Sequence, residues 1–261
     1  LLGEKMIFET HAHYDDERFE NDRDELVSSL PFNGIDKVIN VGASIESTKT
    51  TLELAHKYDF VYAAVGVHPS DIDGLNEETF NWLYDMTKDK KTVAVGEIGL
   101  DYYWEKDREV QKLQKYWFKR QMELAKRVDL PVIIHSRDAA VDTMDLMKDA
   151  DMQGIRGVIH CYSYSKEMAA EFIKMGYYIG VGGVVTFKNS KKLKETVEAI
   201  PLERILLETD CPYMAPEPHR GKRNDSTYIP YMVAEIARLK NISEDEVKKV
   251  TYENAEKLFR L

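Results

Sequence analysis

A chain of 261 residues, 43% hydrophobic and 31% charged, is able to bury a sizeable core, and no apolar run approaches membrane-spanning length. A formal net charge of -10 argues against a protein that wraps duplex DNA through a broad positive surface. It leaves room for a nuclease, because divalent metals place positive charge where a phosphate must sit.

Leu1–Lys5 form a polar lead-in, with no basic-then-apolar secretory leader recognisable. The first β-rich run, Met6-Ile7-Phe8, is followed by Glu9-Thr10-His11-Ala12-His13. In an extended strand, residues two apart share a side, so His11 and His13 can aim at one point. Further apolar runs follow at Lys37–Val41, Val61–Val65, Thr92–Val95, Val132–Ile134, Gly157–Ile159, Tyr177–Val181 and Ile205–Leu207. They are mostly unbroken, as expected when both faces of a parallel sheet are covered. Between them, Ser47–Tyr58, Glu109–Val128, Ala139–Asp149 and Lys191–Ile200 carry apolar residues at helical spacing.

Eight such units in about 250 residues predict an α/β fold, a closed (β/α)₈ TIM barrel. A doubly wound open sheet is the competitor, but usually has fewer strands and a switch point. Two more helical segments, Ser226–Leu239 and Glu244–Phe259, close the chain, with Ser243 and Glu246 as a capping box. No linker or repeat divides residues 6–261, which are read as one domain. Two cysteines do not make a disulfide scaffold, and a reducing cytoplasm is the expected setting.

Polar residues collect where the predicted strands end. Glu97 follows the fourth run, His135 the fifth, His160 the sixth and Asp210 the eighth; Gly66-Val67-His68-Pro69 follows the third. In a barrel these ends share one rim. Any single histidine here could be a satisfied core residue, and Glu97 could pair with an arginine. Four histidines with two carboxylates at equivalent positions cost a core too much unless something binds them. Imidazoles mixed with carboxylates suit zinc, manganese, iron or nickel, whereas magnesium alone would prefer more oxygen ligands. Six candidate ligands, His11, His13, Glu97, His135, His160 and Asp210, exceed one tetrahedral ion's needs and point to two metals bridged by Glu97. Cys161 and Cys211 should face away from their neighbours and serve packing.

Around the rim, Gly182-Gly183 lead to Thr186 and Lys188, and His219-Arg220-Gly221-Lys222-Arg223-Asn224 is the densest basic stretch. Arg137 follows His135 by two residues. These groups suit phosphate contact, or the basic stretch is a solvated loop. Tyr102-Tyr103-Trp104 could stack on bases or roof the barrel.

Taken together, Thr10–His13, Gly66–Pro69, Gly96–Tyr103, Pro131–Arg137, His160–Ser163, Thr186–Asn189, Leu207–Tyr213 and Arg220–Asn224 resemble, in order, the motifs of the TatD family of metal-dependent deoxyribonucleases. That family lies within the amidohydrolase-like metal-dependent hydrolases. The resemblance implies a TIM barrel, one or two divalent ions (Mg, Mn or Zn), and hydrolysis of DNA phosphodiesters. It implies metal ligation by His11, His13, Glu97, His135, His160 and Asp210, with His68 beside the substrate. Two positions depart from the pattern: Glu9 replaces an aspartate, and Ser226 replaces a proline. They are expected to alter metal affinity or substrate preference, the serine by loosening the start of the next helix.

The expected chemistry is attack by water whose pKa a divalent metal lowers. His11, His13 and Asp210 would hold one ion, His135 and His160 the other, with Glu97 between and Asp210 as base. Arg137, Lys188, Arg220, Lys222 and Arg223 would meet phosphate, and Trp104 a base. The expected substrate is DNA, single-stranded or at strand ends, with no membrane and no obligate protein partner. The rival reading is cleavage of a C–N or lactone bond in a small molecule, because fold alone does not decide chemistry. A third reading, a metal-holding binding module without an open coordination position, belongs to another class.

Overall fold

Strands β1 (Ile7–Ala12), β2 (Ile35–Val41), β3 (Val61–Val65), β4 (Thr92–Asp101), β5 (Val132–Arg137), β6 (Gly157–Ile159), β7 (Tyr178–Val181) and β8 (Ile205–Leu207) pair in parallel, in sequence order. This structure, a computed structural model, describes residues 6–261; the lead-in Leu1–Lys5 lies outside the described residues. Helices α1 (Arg23–Ser29), α2 (Ile45–Lys57), α3 (Glu77–Met86), α4 (Arg108–Val128), α5 (Ala140–Lys148), α6 (Lys166–Lys174) and α7 (Lys191–Ala199) connect successive strands. The result is a TIM barrel, nearly closed, as the hydrophobic rhythm predicts. Two further helices, α8 (Ile229–Lys240) and α9 (Glu244–Phe259), follow β8. No helix among the described residues is long and apolar enough to cross a membrane.

Local sequence explains where the elements begin. Ser44, Asp107, Ser165 and Ser243 accept backbone N–H groups as N-caps of α2, α4, α6 and α9. Two main apolar clusters form, beside a small third one of Val67, Ile72, Leu75 and Trp117. The larger lies between strands and helices. The smaller draws on every strand, including Phe8, Ile39, Ala64, Ile133, Tyr178 and Leu206, and ends on Leu258 and Phe259 of α9. Contributions from all eight strands mark it as the barrel interior, so the last helix plugs the floor.

Three strands run further than their apolar runs suggest, β1 continuing through His11 to Ala12. All ten residues of β4 are buried, and Glu97 lies within the strand rather than after it. β5 likewise carries His135 and Arg137. Gly99 makes the extension possible: its φ is +147°, and a Cβ there would lie 1.9 Å from the His135 carbonyl oxygen.

Candidate metal centre

His11 at the end of β1 and His13 just beyond it do converge: their Nε2 atoms are 3.0 Å apart. Nδ1 of His13 lies 2.8 Å from the Val41 carbonyl oxygen, which accepts its N–H and leaves Nε2 facing the cluster. Glu97 and Asp210 complete the group. Glu97 Oε2 is 3.4 Å from His11 Nε2 and 3.7 Å from His13 Nε2. Asp210 Oδ1 is 3.7 Å and 3.4 Å from the same two atoms. A tetrahedral cation with bonds of about 2.1 Å spaces its ligand atoms about 3.4 Å apart. The spacings of His11, His13 and Asp210 suit that geometry and make one group able to hold a cation, while Glu97 groups with His11 and His160.

The other oxygen of Glu97 serves a second set. Oε1 lies 2.8 Å from His135 Nδ1, 3.6 Å from His160 Nε2 and 3.8 Å from His68 Nε2. A carboxylate with one oxygen in each set is placed as a bridge. The two sets overlap more than the sequence suggests, because His160 stacks on His11 with ring centroids 3.6 Å apart. His160 Nε2 also lies 3.8 Å from Asp210 Oδ1.

Two acids outside the expected ligand set orient it, and Ser70 fixes the neighbouring His68. Asp101 Oδ2 lies 3.0 Å from His135 Nε2, and its Oδ1 accepts the N–H groups of Tyr103 and Trp104. Glu208, fully buried, brings Oε1 to 3.2 Å from His160 Nδ1 and accepts the Cys161 N–H at 2.6 Å. Gly180 makes room for it: a Cβ there would lie 2.4 Å from Glu208 Oε2. Ser70 donates its N–H to His68 Nδ1, so the His68 proton sits on Nε2, a donor rather than a ligand in this tautomer. Both acids stand in motifs visible in the sequence, but nothing in their spacing marks them as histidine partners. Asp101→Ala or Glu208→Ala is expected to lower metal affinity by about 10–100-fold, measured by competition with a chelator.

Charge follows this geometry. For Glu97, burial favours the neutral acid, but His160, His68, His11 and His135 outweigh it and hold the carboxyl well below its usual range. Burial likewise opposes charging of His13 and His160. Asp210 and Glu97 raise His13 to about 9, and Glu208, Glu97 and Asp210 raise His160 to about 10. Burial and neighbouring His135 push His68 down to about 3, so it stays neutral. Near pH 7 the metal-free cluster therefore holds protons on His13 and His160 that a cation must expel. His135 is raised as well, so binding should release at least two protons, and affinity should rise with pH up to about 10. Calorimetry in buffers of different ionisation enthalpy measures this number; a release near zero contradicts it.

The cluster floors a cavity of about 790 Å³ whose walls include Asp15, Asp16, Asp71, Trp104, Arg137, Tyr213 and Met214. Arg137 lies over the Tyr103 ring at 3.9 Å and the Trp104 ring at 5.6 Å. Trp104 is 70% exposed. Tyr102 instead donates to Asp142 of α5 at 2.7 Å and packs against the core between strands and helices.

Of the expected basic contacts, Arg137 lines the cavity, whereas Lys188, Arg220, Lys222 and Arg223 lie outside its wall. Arg223 is committed to Asp22 at 2.7 Å, and Arg220 lies over Phe187 at 4.4 Å. Lys188 and Lys222 are exposed. The loop's inward residue is Asn224, buried and donating to the carbonyls of Thr209 and Tyr213. Cys161 also differs from expectation. β6 ends at Ile159, and Cys161 takes a left-handed backbone with φ 45°, which turns it into the cavity wall near His160 and Asp210. Cys211 is buried, as a packing residue should be.

Known proteins are similar to this chain over nearly all of its length. The sequence model of TatD-related DNases matches residues 8–260. A Bacillus subtilis (strain 168) protein, uncharacterized metal-dependent hydrolase YabD, is 41% identical over 256 residues, covering 98% of this chain and all of the relative. Escherichia coli (strain K12) YcfH, of the same description, is 30% identical over 262 residues, covering 98% of this chain and 96% of YcfH. The crystal structure of YjjV, a TatD homolog from E. coli K12, superposes with a TM-score of 0.90 at 31% identity, covering 98% of both chains. With its histidines and carboxylates gathered at the C-terminal mouth of a parallel barrel, this chain belongs to the TatD family of metal-dependent hydrolases.

Proposed function

We propose that this hydrolase cleaves DNA phosphodiester bonds, acting on single strands or strand ends. The observation that carries the reading is the two donor sets joined through Glu97 beneath a cavity walled by Arg137 and Trp104. Bound divalent cations would supply a water acidified into the neutral range and positive charge facing a phosphoryl oxygen. The protein's part is to hold and aim. The histidine contacts of Asp210 fall on Oδ1, which leaves Oδ2 to take the proton from the attacking water. His68, neutral with its proton on Nε2, donates toward a substrate oxygen. Arg137 pairs with phosphate, and Trp104 offers a face to a base. His11 and Glu97 are almost wholly buried, at 0% and 4% exposure, so only a narrow segment reaches them. That favours an end or a single strand over a duplex.

One observation favours the rival, hydrolysis of a C–N or lactone bond in a small molecule. The cavity wall carries Asp15, Asp16 and Asp71 beside one arginine, an unfavourable lining for a polyanion. The deciding experiment offers metal-loaded protein single-stranded DNA, duplex DNA, RNA and a panel of small amides and lactones. Turnover of the small panel with no cleavage of nucleic acid would overturn the assignment.

Trp104 discriminates further. Trp104→Ala is expected to cost roughly 1–3 kcal/mol in single-strand binding, whatever the base, while sparing a small base-free phosphodiester. Equal losses on both substrates would return Trp104 to a structural role.

A further inference from the structure

The barrel closes between β1 and β8 without a full ladder. One bridge joins Ala12 to Cys211, and the backbone adds Asp210 N–H to the His11 carbonyl and His13 N–H to the Cys211 carbonyl, each at 2.9 Å. Below these bonds a side chain takes over. Glu9 Oε1 accepts the His11 N–H at 3.0 Å on its own strand and the Thr209 N–H at 2.9 Å across the seam. One oxygen thus ties the backbone of His11 to the residue immediately before Asp210.

Glu9 is fully buried, so its second oxygen also needs a donor. Ser226 supplies it: Oγ lies 2.9 Å from Oε2. Ser226 is in turn held by Tyr14, which accepts its N–H at 3.0 Å and whose hydroxyl lies 2.7 Å from Oγ. With Glu9 ionised, the hydrogens have one consistent order. Ser226 N–H goes to Tyr14, the Tyr14 hydroxyl to Ser226 Oγ, and the Ser226 hydroxyl to Glu9. Ser226 and Tyr14 are buried too, so no solvent competes for these bonds. A proline at 226 could supply neither the N–H nor the hydroxyl. Glu9 and Ser226, which the sequence resemblance singles out, are thus in direct contact.

We propose that the Ser226 hydroxyl is a positioning group for the metal centre, acting through Glu9. The pair sets the β1–β8 seam, and with it the placement of His11 against Asp210, whose Nε2 and Oδ1 are 3.7 Å apart. The inference rests on reading His11 and Asp210 as metal ligands.

The test titrates Co²⁺ into the full-length metal-free protein, following affinity by calorimetry and ligand geometry by the visible spectrum. Thermal stability of the metal-free form is measured alongside. Ser226→Ala is expected to weaken Co²⁺ binding by about tenfold, the lower end for outer-sphere partners of metal ligands, and to change the spectrum. Ser226→Thr, which keeps the hydroxyl, restores both. Ser226→Ala adds no further loss in a Glu9→Ala background, because the bond is already gone. Wild-type affinity and spectrum in Ser226→Ala, whatever its stability, overturn the proposal, as do losses that multiply in the double variant. Should Ser226→Ala not fold, Tyr14→Phe removes the group that orients Ser226 and is judged by the same outcomes. His11→Ala is the control: unchanged Co²⁺ stoichiometry there refutes the ligand reading itself, whereas loss there with none in Ser226→Ala refutes only this inference.

Discussion

Asp210→Asn is expected to reduce turnover by about 10²–10⁴-fold, the range for loss of a positioned acid or base, while leaving the barrel folded. The amide keeps the shape of the carboxyl, and the backbone bond from Asp210 N–H to the His11 carbonyl is untouched. What disappears is charge. Burial alone favours a neutral Asp210, but His160, His13 and His11 draw it below the ordinary carboxylate range, so the group stands ionised among histidines. An amide can neither accept the water's proton nor neutralise those partners. The variant's metal content must be measured together with its rate. Near-normal turnover at full metal occupancy would remove Asp210 from the role of base.

Glu97→Gln should have the largest effect on metal binding, because Glu97 alone contributes an oxygen to each donor set. The loss should exceed the roughly 10–100-fold cost of an outer-sphere partner, and it should appear at both positions. Elemental analysis after dialysis is the direct measurement. An unchanged metal-to-protein ratio would show that the bridging placement of Glu97, with Oε1 2.8 Å from His135 and Oε2 3.4 Å from His11, does not carry the ions. His135 should be milder than either carboxylate, since only its Nδ1 faces the cluster while Nε2 is spent on Asp101.

The barrel was legible from sequence because its signal is local and repeated. Short unbroken apolar runs alternate with helical spacing, and burial on both faces of a parallel sheet needs no more than that. The gathering of His11, His13, Glu97, His135, His160 and Asp210 at one mouth followed as well, because parallel strands put all their C-terminal ends on one rim. Other features depend on contacts between residues far apart in the chain, which no local pattern encodes. The strand length of β4 is set by Gly99 against β5. Cys161 enters the cavity because a short strand ends in a left-handed residue, so alternation fails there. The basic loop looked like a phosphate grip, yet Arg223 spends its charge on Asp22 and the loop turns Asn224 inward. Ser226, read in isolation as a weaker helix start, proved to be the donor that a buried Glu9 requires 217 positions away. Sequence by itself determined which residue types could do this chemistry and on which end of the barrel they stand. Only the tertiary structure decided which neighbour satisfies each buried polar group, because that choice is made by packing across the barrel rather than along the chain.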